Sequence, residues 1–211
     1  MSILPHIIVL TFGVLSFLFL FWRRLREDYS GSLIFSAGFG IIASILAGYL
    51  LSFIFSNLLS ESYFFNPHGL WYWGGFMGFL AGVKIMQAKM NLKVIETFEA
   101  ATMGTSVWTF LIYVFGFLTT KNPSSAALSV GVLLLFSFFY FLEGKYRSLS
   151  WYKSGKIGFS GVTVLGLFFV LRMVITLSFD NGFSTIGRVD LVLSAVVVFL
   201  LAFSLYNLSE T

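Results

Sequence analysis

Cysteine is absent from this chain, and histidine occurs only at His6 and His68. Disulfides, thiolate metal sites and cysteine nucleophiles are thereby excluded, and a metal centre built on imidazoles lacks ligands. We expect no metal and no cofactor. Charge is scarce as well: Asp, Glu, Lys and Arg supply 10% of the residues, against about 25% in globular domains. There are three prolines, no low-complexity tract and no long charged tail. What is there instead is apolar. Hydrophobic residues make up 58% and aromatic ones 19%, with 27 Phe, so water cannot dissolve the chain. The composition predicts a single integral membrane domain over residues 1–211. A net charge of +4 does not suggest nucleic acid, because the basic residues fall in short loops rather than on one water-facing patch.

Seven apolar stretches approach or exceed the roughly 20 residues that a helix needs to cross a bilayer core. They are Pro5–Trp22, Leu33–Phe55, Gly69–Met86, Val94–Leu118, Ala126–Leu142, Ile157–Phe179 and Val189–Tyr206. Because the runs are continuously apolar and do not alternate every second residue, they predict helices rather than a barrel. The first run has Arg23, Arg24 and Arg26 after it and no cation before it. A cleavable signal has the opposite order, so this run reads as a retained span. Lys and Arg fix the orientation. Ten of them, at 23, 24, 26, 84, 89, 93, 145, 147, 153 and 156, fall on one side, and two, Lys121 and Arg188, on the other. The positive-inside rule then places the N-terminus outside and the C-terminus in the cytoplasm.

Two patterns of small residues stand out. Ser36, Gly40, Ser44, Gly48, Ser52 and Ser56 recur every four residues in the second span, and Gly74, Gly78 and Gly82 do so in the third. Residues four apart share a helical face, so each set forms a smooth stripe along which backbones can approach. The reading for these residues is helix packing.

Ionisable groups inside apolar spans are functional candidates. Arg172 lies 15 residues after Ile157, about 22 Å along a helix, in the outer half of the membrane. There its planar fork of donors suits a lipid phosphate; an arginine that snorkels or is paired within the protein is the other reading, equally weighted. Glu96 and Glu99 open the fourth span, where acids suit the positive helix end and can pair with Lys93 or Lys89. His68, just before the third span, could act as a base, although a lone interfacial histidine beside a proline is more often structural. Trp71, Tyr72 and Trp73 resemble an interfacial aromatic belt.

Five short segments carry a resemblance. They are LAGYLLSF from Leu46, GLWYWGG over 69–75, NPSSAAL over 122–128, FFVLRMVIT over 168–176 after Gly158, and FSTIGRVDLVLSA from Phe183. In this order they resemble the bacterial prolipoprotein diacylglyceryl transferases, seven-helix enzymes with an outside N-terminus. The family's patterns are like GGLSFHGG, HPTQLYE and YGLGRFLIE. Their histidine and glutamate positions correspond here to Trp73, Asn122, Leu128 and Thr176, and their arginine to Arg172. A GRIGNF-like signature in the fourth helix has no counterpart, since no Lys or Arg occurs between Lys93 and Lys121.

The resemblance implies a protein of the bacterial cytoplasmic membrane that binds phospholipid, phosphatidylglycerol in the family, at the outer face. Arg172 would hold the phosphate, and His68 or Tyr49 would move protons. The acceptor would be a lipoprotein precursor. The replaced polar positions imply the alternative, a catalytically inactive relative that serves as a lipid-binding or structural subunit beside other membrane proteins. A transporter is disfavoured, as no inverted repeat or mid-span proline is present.

Overall fold

The structure is a computed structural model that describes residues 3–59, 69–145, 158–178 and 188–210. Among the described residues there are seven helices and no strand. They are α1 (Ile3–Leu25), α2 (Gly31–Leu58), α3 (Leu70–Met90), α4 (Val94–Thr120), α5 (Pro123–Lys145), α6 (Phe159–Ser178) and α7 (Arg188–Glu210). All except α3 are long and apolar enough to cross a membrane. In hydrocarbon no water is at hand to satisfy backbone amides, so apolar runs of this length close their hydrogen bonds within helices.

Local chemistry sets the helix ends. Asn91 ends α3 and Lys121 ends α4, each with positive φ (53° and 50°). The Lys121 N–H closes onto the Phe117 carbonyl at 2.7 Å, in the left-handed cap that commonly terminates helices. Asn122 then starts α5. Its Oδ1 accepts the Ser124 N–H at 3.1 Å, and Pro123 takes the first helical position, where a missing N–H is harmless. For this reason α5 begins three residues before the apolar run at Ala126. The link from α4 to α5 is only two residues, which forces the helices antiparallel. Likewise α1 continues past Trp22 to carry Arg23 and Arg24 in its last turn, where cations complement the helix dipole.

Helix α2 packs along α3, α1 along α4, and α6 along α7, while α4 sits in the middle against α1, α3, α5 and α6, and α5 lies across α4 and α6. The α2–α3 seam is built from the two small-residue stripes. A Cβ on Gly48 would overlap the Gly74 carbonyl, one on Gly74 would lie 2.5 Å from the Gly48 carbonyl, and one on Gly78 would overlap that of Ser44. Gly82 sits against Ile41 and Ser44, and Gly40 against Met86. The two helices stay in this close contact over about three turns. The α1–α4 seam works differently: Gly13 receives the Trp108 indole and Gly104 receives Phe17, so aromatic rings seat in glycine sockets on both sides. Around these seams lie a core of Phe17, Phe21, Ile41 and Ala100, a second of Met103, Phe139 and Phe159, and a third of Trp73, Tyr113, Val132 and Phe169.

Candidate functional site

Arg172 leaves α6 six residues before its end at Ser178 and is 2% exposed. An unpaired guanidinium in such a place would be very costly, and α7 supplies the counter-charge. Asp190, 1% exposed, stands in the first turn of α7. Its two oxygens meet the fork side-on. Arg172 Nε donates to Oδ2 at 3.1 Å and Nη2 to Oδ1 at 2.9 Å, the bidentate geometry that makes arginine–carboxylate pairs strong.

The ring of Tyr72 covers the guanidinium face, 3.7 Å from Cζ to the ring centre, and the Tyr113 hydroxyl accepts from Nη1 at 3.4 Å. The Trp73 indole N–H donates to Asp190 Oδ1 at 2.7 Å. Four helices, α3, α4, α6 and α7, thus converge on one salt bridge. Aromatic rings wall it off: Phe169 stacks on Trp73 at 5.8 Å and meets Tyr72 edge-on at 6.4 Å.

Such an arrangement can hold charge and orient rings. Arginine does not give up a proton. Asp190 already accepts three hydrogen bonds, and this cluster contains no imidazole or second carboxylate among the described residues. Trp73, at the position corresponding to the resembled family's histidine, contributes only a donor. Thr176 returns its hydroxyl to the Arg172 carbonyl at 2.9 Å.

The other sequence candidates lie apart from this cluster. His68 falls outside the described residues. Tyr49 is half exposed on α2 with its ring against Trp71, and it is not one of the groups that hold the Arg172 guanidinium. Gly40, Ser44, Gly48, Gly74, Gly78 and Gly82 come together in the α2–α3 seam.

A second polar centre sits at the opposite end of the bundle. Arg24 of α1 reaches Glu99 of α4 at 2.5 Å and also pairs with Glu143 of α5. Glu96 pairs with Lys93 at 2.9 Å, one of the pairings the sequence suggested, whereas Glu99 turns inward to α1. Lys93 also donates its backbone N–H to the Tyr29 hydroxyl. The hydrogen bond that Lys93 Nζ donates to Glu96 holds its pKa above the ordinary lysine range.

Asp190, Tyr113, Arg24 and Glu143 escape a reading of the sequence that considers one residue at a time. One signal for Asp190 was present. A membrane arginine needs an acid, and the described residues at the end where α6 finishes and α7 starts offer only this one. Compared with family models, curated proteins and solved structures, the chain matches none.

Proposed function

We propose that the chain is a multi-pass protein of the bacterial cytoplasmic membrane that keeps a diacylglyceryl-transferase-like helix scaffold without the transfer chemistry, and serves as a lipid-embedded structural subunit of a membrane assembly. One observation carries this reading. The arginine best suited to a lipid phosphate has its fork engaged by Asp190 in a buried, aromatic-walled site. A headgroup would have to displace that carboxylate and separate α7 from α6. Moving a cysteine onto a lipid requires a base and donors for the departing phosphate. The described partners of Arg172 supply neither in free form.

For the topology, all seven helices span. Helix α3 is the least apolar of them, yet it touches α2 from Gly48 and Gly74 at one end to Gly40 and Met86 at the other, so it shares the depth of a helix that is long and apolar enough to cross. The excess of Lys and Arg at the end with the α3–α4 turn supports a cytoplasmic location for that end and an outside N-terminus.

The test is a transfer assay. Purified protein is incubated with phosphatidylglycerol and a lipobox peptide, beside an active diacylglyceryl transferase. The expected result is no lipidated peptide from this chain and ample product from the control. A lipidated cysteine that disappears with Arg172→Ala would overturn the proposal in favour of a transferase. Accessibility labelling of single cysteines introduced at Ser2 and Thr211 tests the topology: outside and inside, respectively.

A further inference from the structure

At the Lys- and Arg-rich end of the bundle, a groove of about 490 Å³ opens between the start of α2 and the end of α3. It is shallow and open to its surroundings, a shape suited to one part of a larger molecule rather than to an enclosed ligand. Three serine hydroxyls, from Ser30, Ser32 and Ser36, line one side, and Lys89 and Asn91 line the other. No carboxylate is among the lining residues.

The charges around the groove are already partly spent. Arg24 is taken by Glu99 and Glu143, and Lys93 by Glu96. Lys89 makes no ion pair among the described residues, so it faces the groove with its charge uncompensated. Ser30 precedes α2 without capping it through its side chain, and its hydroxyl lies 3.4 Å from that of Ser32. The site therefore offers a cation and several small donors to something anionic.

What lies next to the groove narrows the anion. Ser32, Phe35, Ser36 and Phe39 follow the spacing of a single face on α2, and Phe35 and Phe39 are both exposed. Moving along that face away from the helix start, the surface changes from hydroxyls to bare aromatic rings. A soluble phosphate has no use for the rings. A phospholipid matches both halves, with its headgroup beside Lys89 and its acyl chain along Phe35 and Phe39.

We propose that this groove seats the phosphate headgroup of an anionic phospholipid. The assignment rests only on the chain lying in a membrane and is independent of either reading of Arg172. The binding energy is that of one cation beside an anionic headgroup, supported by hydroxyl donors and apolar contact.

Native mass spectrometry of the full-length protein in micelles, loaded with equal phosphatidylglycerol and phosphatidylcholine, reads the result. The wild type should retain the anionic lipid preferentially. Lys89→Gln, which removes the charge without placing an acid in the last turn of α3, should lower that retention by about fivefold while shifting the melting temperature little, because Lys89 is exposed. Ser36→Phe, which fills the groove without changing charge, should do the same. Equal retention of both lipids by the wild type, or undiminished retention in both variants, overturns the proposal. Displacement of the lipid by inorganic phosphate at comparable concentration would also overturn it, by making the site one for a soluble anion.

Discussion

The α2–α3 seam and the Arg172 centre join helices by opposite means. Between α2 and α3 there is no charge, only small residues with a few apolar side chains such as Ile41 and Met86, and the contact is spread over about three turns. Where α3, α4, α6 and α7 meet, an apolar core surrounds one guanidinium and one carboxylate that tie all four helices together. Hydrocarbon gives helices no hydrophobic reason to associate, so van der Waals fit and hydrogen bonding must do it. The seam uses the first and the centre uses the second. Loss in a distributed contact is local, whereas loss of one partner in a buried pair strands the other.

The contrast sharpens into an ordered set of outcomes. Asp190→Leu should be the most damaging, at about 3–5 kcal/mol, since it leaves Arg172 buried and unpaired. Adding Arg172→Leu should recover most of that loss. Equilibrium unfolding in mixed micelles measures both, and a single variant no worse than the double would refute the account. Gly78→Leu drives a side chain into the Ser44 carbonyl and should cost about 1–3 kcal/mol. Its control is Gly75→Leu, because a Cβ there meets nothing within 4 Å; equal losses at the two positions would remove the seam's special status. Tyr113→Phe removes the hydroxyl that accepts from Arg172 Nη1 and should cost about 1 kcal/mol.

Smallest of all is the pair at the start of α4, of which only the lysine is exposed. The folded pKa of Lys93 is raised, so the stability it adds is complete below the unfolded lysine value of 10.5 and fades as pH climbs through the higher folded value. Lys93→Gln should lower stability slightly at neutral pH and flatten the alkaline limb, so that the two profiles converge as pH rises. A profile identical to wild type would show that the pair contributes nothing.

Much of the helical architecture is legible from the sequence, for physical reasons. Long apolar runs can satisfy their amides only as helices, and six of the seven emerge with that character. The four-residue spacing of small residues is plain in the sequence itself, and those residues meet face to face. Helix ends are less legible, because Asn122 and Pro123 start α5 by capping chemistry that hydropathy does not register. The least legible feature is the environment of Arg172. Depth along α6 follows from counting residues, but its partner lies 18 positions away on the next helix. An aspartate in a first turn looks like ordinary dipole compensation. Tyr72 and Trp73 likewise look like interfacial belt residues, although both turn inward to the salt bridge.

The glycine sockets between α1 and α4 have one more consequence, for communication along the bundle. Trp108 in Gly13 and Phe17 in Gly104 index one helix against the other like teeth in a rack, and that index brings Arg24 opposite Glu99. Gly13 and Arg24 lie 11 residues apart on α1, about 16 Å, a separation at which substitutions are normally independent. Gly13→Ala would push the indole out of its socket and slide α1 along its axis, carrying Arg24 away from its carboxylates. A double-mutant cycle between Gly13→Ala and Arg24→Gln should therefore be clearly non-additive. The glycine acts as a remote setting for a charge pair it never touches.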